Sequence, residues 1–316
     1  MRRILLCSLF ALVTSVSLIA QDIKTALASL SAMNRRGQFA EMIQTANSVL
    51  ANNTLDPAEQ GMVLSYLGCA YQQRGEFTKA TAAYEKALAT VNRDGKHGTQ
   101  YTVTLSALAS LYAEVDQTGT AKRLLLRSVH LFESQGDHLN AAMTWNNLAT
   151  MAAENQSRRD AHKYMKQSLA ESQLSTIHPV ELAALTTTQG RIAQLDGDAR
   201  TAIADYQRAL ALCHQTDEAQ QQRTAWLHML LAGAYLQADD LANARDAATR
   251  GLTLLQETSG SQTPLFFLAQ LTYSKILDAS GLHKQATSLR EQAQAALDTN
   301  TDRRRAESQI SVNALR

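Results

Sequence analysis

Proline, glycine and cysteine are all scarce in this sequence. Only 3 prolines and 14 glycines interrupt its 316 residues, so few positions break or kink a helix. Aromatic residues make up 5% of the chain, whereas strands are usually rich in aromatic and β-branched residues. Three cysteines are too few for a disulfide framework. These scarcities favour an all-α protein, and the abundance of alanine, leucine and glutamine suits helix after helix.

The chain also has no excess of one charge. Its 30 basic and 29 acidic residues give a formal net charge of +1. Nucleic acids and anionic membrane surfaces attract proteins through a basic field, which this composition lacks. Three consecutive arginines at 303–305 are flanked by Asp302 and Glu307, which favours a solvated charge run. We therefore expect neither nucleic acid nor a membrane surface as a partner.

The first twenty residues differ in kind from the rest. Arg2 and Arg3 precede an apolar run over residues 4–20, after which polarity returns. This pattern is typical of a secretory signal peptide, and we expect residues 1–20 to be removed. An uncleaved anchor is the alternative, although the run of seventeen residues is short for a membrane span of about 20. The sequence thus predicts a periplasmic or extracellular protein, without stable membrane insertion if the signal is cleaved.

A pattern of small and apolar residues recurs along the rest of the chain. Its clearest copy has an apolar stripe over residues 64–71, a break at Gly75 and Glu76, and a second stripe over residues 77–88. Such a pattern is typical of two helices joined by a tight turn. The small residues of this copy, where two helices would cross closely, are Gly68, Ala80 and Ala87.

The same small positions recur at a regular interval. The central alanine steps along the chain by 40 to 42 residues, and the positions twelve residues before it and seven after it are also small in every copy. A weaker first copy has Met42 in place of the alanine. Because each hairpin buries its stripes only against its neighbours, this period predicts a stacked array. The central alanines are Ala80, Ala121, Ala161, Ala202, Ala244 and Ala286.

These hairpins resemble the tetratricopeptide repeat (TPR) family, whose hairpin has small residues at its eighth, twentieth and twenty-seventh positions. With Gly61 as the first position, Gly68, Ala80 and Ala87 take those three places. The resemblance implies an all-α, right-handed superhelical solenoid of about seven antiparallel helix pairs. The common repeat has about 34 residues, and the longer period here resembles the subgroup with repeats of about 42 residues that includes kinesin light chains.

The register sets the predicted domain boundaries. A TPR-like helical domain is expected over residues 21–298, followed by a polar, disordered tail over residues 299–316. All three prolines, Pro57, Pro179 and Pro264, are predicted to begin the first helix of a hairpin. The repeat units lie near residues 23–56, 57–98, 99–138, 139–177, 178–216, 217–262 and 263–298.

The resemblance also implies where a partner binds. In this family the first helix of each hairpin forms a concave wall, and partners contact positions two, five, nine, twelve and thirteen. Here positions five and nine are mostly small, neutral and polar. They lack the Lys and Asn pairs with which chaperone-binding members hold a terminal carboxylate. The candidate contact residues on this wall are Trp226, Met229, Asn146, Asn147, Arg191 and Lys275.

Two groups of these candidates suggest specific contacts. The amides of Asn146 and Asn147 suit hydrogen bonds to the backbone of an extended peptide, although Asn147 is equally suited to a bond within its own hairpin. Trp226 and Met229 begin a row that becomes apolar toward the C-terminal half. An exposed apolar row would bind a protein or peptide, and core packing is the competing interpretation.

No catalytic motif accompanies this pattern. The eight histidines are scattered without metal-ligand spacing, and the chain has no phosphate-cradling glycine loop and no nucleophile elbow. We therefore predict no enzyme activity, metal or cofactor. The expected function is an exported, non-catalytic scaffold that binds a protein or peptide partner in its groove. The alternative is a ligand-sensing regulatory module that acts through superhelix pitch. Nothing in the sequence indicates the oligomeric state.

Overall fold

The chain is helical throughout the ranges that the structure describes. A computed structural model describes residues 23–34, 36–52, 55–92, 98–213, 221–261 and 263–314. No strand occurs within these ranges, and the predicted all-α class is confirmed. The helices are α1 (residues 23–34), α2 (Phe39–Asn52), α3 (Pro57–Gln73), α4 (Phe77–Val91), α5 (Thr99–Glu114), α6 (Thr118–Ser134), α7 (His138–Glu154), α8 (Arg158–Ser172), α9 (Pro179–Asp196), α10 (Ala199–Cys213), α11 (Gln221–Gln237), α12 (Leu241–Ser259), α13 (Pro264–Ala279) and α14 (His283–Ala314).

The described residues form two compact units, with the boundary inside α5. The first unit runs up to Ala107 and the second begins at Leu108. In the first, side chains of α1 to α4 share one apolar core that includes Leu30, Met42 and Leu67. In the second, consecutive helices from α6 to α14 pack on one another, and α7, α9, α11 and α13 also contact one another in turn. The second unit therefore has one layer of odd-numbered helices and one of even-numbered helices.

The small residues of the predicted register lie where helices cross. All six central alanines, at the twentieth position, are fully buried. The eighth and twenty-seventh positions are buried as well, including Gly68, Ser128 and Gly251. The first helices of the six later hairpins begin at residues 57, 99, 138, 179, 221 and 264, so the interval is 39 to 43 residues. The prediction of repeated, closely packed helix pairs is confirmed.

Every hairpin among the described residues turns through a residue in the left-handed region. This residue has φ between 58° and 91° and lies five positions before the twentieth. The next residue then donates its N–H to a carbonyl five residues back, as Glu76 does to Tyr71 at 2.9 Å. That hydrogen bond is the signature of the Schellman motif, which ends a helix on a left-handed residue. The residues at this turn are Gly37, Gly75, Asp116, Gln156, Gly197, Asp239 and Gly281.

The prolines begin helices, as the sequence predicts. Pro57, Pro179 and Pro264 each lie in the first turn of their helix, where a backbone donor is not needed. The first of these starts is fixed further by a capping box. The Glu59 N–H donates to Asp56 Oδ1 at 2.8 Å, and the Asp56 N–H donates to Glu59 Oε2 at 3.0 Å.

The structure bears on the predicted C-terminal tail but not on the predicted signal peptide. The predicted signal peptide, residues 1–20, lies outside the described residues. Helix α14 continues to Ala314, through most of the segment predicted as a disordered tail. No proline or glycine follows Gly281, and the segment is rich in residues that favour a helix. No helix within the described ranges is both long and apolar enough to cross a membrane.

Candidate functional site

All six predicted contact residues lie on odd-numbered helices of the second unit. We use the name odd-helix face for the surface that α7, α9, α11 and α13 form side by side. Polar side chains join α7 to α9 across this layer. Thr150 Oγ1 lies 2.9 Å from Thr188 Oγ1, and Arg191 Nη1 lies 2.6 Å from Glu154 Oε1. These bonds fix the spacing of neighbouring repeats at this end of the face.

Asn146 and Asn147 have opposite environments although they are adjacent on α7. Asn147 is exposed, whereas Asn146 is 4% exposed. The Asn146 Oδ1 is buried, and no donor among the described residues reaches it. An unsatisfied buried acceptor destabilises a protein, and a ligand or an ordered water is the usual remedy. Asn146 therefore carries an unused acceptor on α7, at position five of its hairpin.

Arg191 is held in place rather than extended into solvent. Its side chain is 16% exposed, whereas that of its partner Glu154 is 56% exposed. The guanidinium of Arg191 has five donors, and one of them is used in this pair. Glu154 thus orients a cationic group at the centre of the odd-helix face.

The apolar candidates on α11 divide between core and surface. Met229 is 2% exposed and packs against Gly251 of α12, so its role in the structure is packing. Trp226 is only partly buried, and one side of it packs against the same core. On α13, Leu268 is 44% exposed. Trp226 and Leu268, both at position two of their hairpins, are two apolar side chains of the face that keep accessible surface.

Lys275 lines a cavity of about 530 Å³ between α11, α13 and α14. The walls combine apolar Leu236 and Leu271 with the side chains of Lys275, Asp278 and Arg290. Lys275 is exposed and forms no ion pair with any described residue. A second, outer cleft of about 730 Å³ lies between α8 and α10, on the opposite side of α9. Lys275 therefore marks an amphipathic pocket at the C-terminal end of the odd-helix face.

Charged groups of the outer cleft differ in their pairing. Asp196 Oδ1 lies 3.1 Å from Arg158 Nε, and Asp196 Oδ2 lies 2.8 Å from His162 Nε2. Asp205 lies on the α10 wall and forms no ion pair with a described residue, and burial raises the pKa of its carboxyl. The hydroxyl and backbone N–H of Thr201 donate to Asp198 and lower its pKa.

The side chain of Gln194, on α9, is not among the contact residues predicted from the sequence. The Tyr206 hydroxyl, from α10, donates to Gln194 Oε1 at 3.0 Å. Because the amide oxygen is taken, the amide nitrogen Nε2 points the other way, toward Gly233 on α11. A β-carbon at Gly233 would lie 3.3 Å from Nε2. Gln194 lies at position twelve of its hairpin. In the sequence, nothing distinguishes it except that Tyr206 follows twelve residues later.

The described side chains of this region do not form a metal site. Within the described ranges, no three His, Cys, Asp or Glu side chains are grouped so that they could hold a metal ion. The face instead presents amide, hydroxyl and guanidinium groups together with apolar side chains. These groups bind by hydrogen bonding and burial.

A family model described as "Tetratricopeptide repeat" matches residues 62–93, which lie in the α3–α4 hairpin. A search of curated protein sequences gives no significant match. The predicted resemblance to tetratricopeptide repeats is confirmed by this match together with the structural neighbours.

Three solved structures show the likeness of fold. NprR in complex with its cognate peptide NprX has a TM-score of 0.66 and 15% identity, covering 87% of this chain and 78% of that chain. A Rap protein complexed with competence and sporulation factor has a TM-score of 0.57 and 13% identity, covering 93% and 99%. BtubC (BKLC) from P. vanneervenii has a TM-score of 0.51 and 21% identity, covering 75% and 92%. At these identities the similarity concerns the fold alone.

Proposed function

We propose that this chain, a TPR-like array of helical hairpins, is an exported, non-catalytic scaffold that binds an extended peptide segment of a partner protein along the odd-helix face. The observation that carries the proposal is the buried Oδ1 of Asn146, which has no donor among the described residues. A backbone N–H of a bound peptide would satisfy this acceptor after a rotation of the Asn146 side chain exposes it, since the oxygen is buried in the unbound chain. The same asparagine is difficult to explain as a purely structural residue, because an apolar side chain would be more stable there.

The arrangement of the face supports an extended segment rather than a compact ligand. Polar groups at Asn146, Asn147 and Arg191 occupy α7 and α9, whereas Trp226 and the pocket beside Lys275 occupy α11 and α13. Neighbouring packed helices lie about 8–10 Å apart, so the four helices span about 27 Å. An extended peptide rises about 3.3 Å per residue, so about eight residues cover this distance.

The comparisons favour a peptide over a folded partner. Among the structural neighbours, NprR is in complex with its cognate peptide, and the Rap protein is complexed with competence and sporulation factor. The apolar and polar groups of the odd-helix face are of the kind that binds main chain through hydrogen bonds and side chains through burial. Export rests on the first twenty residues alone, which have the order of a secretory signal.

A random octapeptide library, passed over immobilised chain of residues 21–316, tests peptide binding. We expect selected octapeptides to bind and expect Asn146→Ala and Trp226→Ala each to weaken binding about tenfold, as truncation of a central contact does. Leu174→Ala is the matched control, because Leu174 is 62% exposed and follows an even-numbered helix. Recovery of no octapeptide, or an equal effect of Leu174→Ala, would contradict the proposal.

Export has its own experiment. The chain is expressed with its first twenty residues in a bacterial host, and its N-terminal residue is determined by mass spectrometry in each cell fraction. We expect a chain that begins near Gln21 in the periplasm or medium. An intact chain in the cytoplasm would contradict export without affecting peptide binding.

A ligand-sensing role is the second candidate, favoured by the same peptide-bound neighbours. In repeat arrays each hairpin contacts only its neighbours, so small changes in each repeat add up along the array. X-ray scattering with and without a selected octapeptide separates the two functions. A change in the radius of gyration supports sensing, and an unchanged radius supports a static scaffold.

A further inference from the structure

We infer that Gln194, Gly233 and Tyr206 form a built subsite on the odd-helix face that binds a main-chain carbonyl of the bound peptide. This inference rests on the proposed function and names the part of the peptide that α9 and α11 hold. Three observations carry it: a glycine that faces the Gln194 amide, an amide fixed in one orientation, and a second donor beside that amide.

Gly233, on α11, faces the side-chain amide of Gln194. Three buried helical glycines have closer neighbours: a β-carbon at Gly68 or Gly190 would lie 2.8 or 2.7 Å from a tyrosine ring, and one at Gly251 would lie 2.9 Å from the Ala225 carbonyl oxygen. At Gly233 the one atom within 4 Å is Gln194 Nε2, at 3.3 Å.

The conformation of Gly233 does not require glycine. It lies inside α11, and its φ is not in the left-handed region. Glycine in the interior of a helix is less stable than alanine. A glycine at such a position is expected where something must approach the backbone closely, and a β-carbon here would also crowd the Gln194 amide. What Gly233 leaves uncovered is the amide nitrogen of Gln194.

The Gln194 amide is fixed by a buried partner. Tyr206 is fully buried on α10, and its hydroxyl donates to Gln194 Oε1 at 3.0 Å. Burial also raises the pKa of the Tyr206 hydroxyl well above its usual range, so the hydroxyl stays protonated and remains a donor. The amide oxygen can then only accept this bond, and the NH₂ group must face Gly233. No described residue accepts a hydrogen bond from that NH₂ group.

Arg191 adds a second donor one helical turn earlier on α9. Its guanidinium is held by Glu154 Oε1 at 2.6 Å and is close enough to Tyr206 to lower the pKa of that hydroxyl in part. Both available groups are therefore donors, and a ligand atom between them must be an acceptor. In an extended peptide the acceptor available at every residue is the main-chain carbonyl.

The test compares four variants against one octapeptide selected on the unaltered chain. Tyr206→Phe removes the hydroxyl that orients the amide, and we expect binding weakened about three- to tenfold with little change in Tm, as for one hydrogen bond. Gly233→Ala crowds and covers the amide, and we expect binding weakened at least as much with little change in Tm, because the helix preference of alanine offsets the 3.3 Å contact with Nε2.

Tyr84→Phe is the matched control. The Tyr84 hydroxyl donates to Gln72 Oε1 at 3.1 Å in the first unit, so the same bond is removed away from the proposed subsite. We expect its affinity to equal that of the unaltered chain. In the fourth variant, Asn147→Ala, an exposed amide on α7 is removed to show whether loss of any amide on the face weakens binding.

The outcomes separate this inference from the proposed function. Octapeptide binding that is unaffected by Tyr206→Phe and Gly233→Ala overturns the subsite and leaves peptide binding in place. Equal weakening by Tyr84→Phe also overturns it, because the effect would then be one of stability. Failure of every octapeptide to bind overturns both. Replacement of single peptide amides by esters weakens one carbonyl acceptor and removes one N–H donor at a time. One such replacement should weaken binding to the unaltered chain and have no effect in Tyr206→Phe.

Discussion

The ring of Tyr206 lies so close to Gly190 that a β-carbon on the glycine would approach the ring to 2.7 Å. The same relationship joins Tyr84 to Gly68, at 2.8 Å. In each pair the glycine is at the eighth position of its hairpin and the tyrosine at the twenty-fourth. The hydroxyl of each tyrosine reaches a glutamine at the twelfth position. Two of the hairpins therefore share the same glycine–tyrosine contact, with the same glutamine beside it. We call the contact between the glycine and the tyrosine the glycine–tyrosine pair.

Gly190→Ala is expected to lower the free energy of unfolding by about 1–3 kcal/mol, because the added methyl forces the tyrosine ring to move. Other hairpins place alanine at the eighth position with a smaller partner at the twenty-fourth, as in Ala149 with Met165. Gly190→Ala in a Tyr206→Leu background should therefore have little effect. Urea unfolding of the single and double variants measures the coupling. Equal losses in both backgrounds would show that the pair is not the cause.

Gln156 adopts the left-handed conformation, with φ of 58°, at the turn where four other hairpins have glycine. That conformation is unfavourable for a residue with a β-carbon by about 1 kcal/mol. Gln156→Gly should therefore stabilise the α7–α8 hairpin by about 0.5–1 kcal/mol. Gly197→Ala, at the equivalent turn with φ of 91°, should destabilise the α9–α10 hairpin by at least as much. Thermal unfolding of both variants checks the opposite signs, and a shift of the same sign in both would contradict the explanation.

Asp205 and Asp198 should affect the pH dependence of stability in opposite directions. Burial raises the folded-state pKa of Asp205, so its ionisation destabilises the fold as pH rises through the unfolded and then the folded pKa. Asp205→Asn should thus raise Tm at pH 7 and have little effect near pH 3. Bonds from Thr201 lower the pKa of Asp198, so its contribution is present above the unfolded pKa and is lost as pH falls through the folded pKa.

Asp198→Asn is the matched variant, on the same cleft. It should lower Tm at pH 7, and its effect should shrink toward pH 3. Thermal unfolding at a series of pH values compares each variant with the unaltered chain. Parallel curves for either variant would contradict the stated environment of that carboxyl.

Cys69 should resist alkylation in the folded protein. Burial raises the pKa of its thiol to about 11, and Sγ donates to Asn34 Oδ1 at 3.3 Å. At pH 8 about one such thiol in a thousand is ionised, and the thiolate is the reactive form. Iodoacetamide at pH 8 should label Cys69 only after unfolding in urea, as peptide mass spectrometry would show. Labelling of the folded chain at the unfolded rate would contradict the raised pKa of this thiol.

The repeat register could be predicted from sequence because small residues are forced where helices cross. Ala80 and its five equivalents have no solvent-exposed surface, so a larger residue does not fit there. The pattern of small residues is therefore visible without a structure. For the candidate site, the sequence could predict which helices carry it but not which of their side chains are accessible. Whether Met229 or Trp226 reaches solvent depends on the rotation of α11 against α12, and Gly251 is the residue that sets this contact.

Gln194 could not be predicted as a candidate, because a glutamine on a helix is usually a solvated side chain. Its role depends on a hydroxyl from another helix, and that contact is a matter of three-dimensional packing. Comparison of the hairpins with one another is the sequence signal that accompanies it. Within this chain, glycine at the eighth position accompanies tyrosine at the twenty-fourth and glutamine at the twelfth in two hairpins, and all three are absent from the other four later hairpins.

The glycine–tyrosine pair also restricts how such a protein changes over evolutionary time. If glycine is replaced first, the methyl collides with the ring; if tyrosine is replaced first, a hole opens beside the glycine. Either order therefore passes through an intermediate sequence whose fold is less stable. Duplication or exchange of an entire hairpin transfers both partners in one event, so whole-repeat shuffling is the accessible route between the two kinds of hairpin.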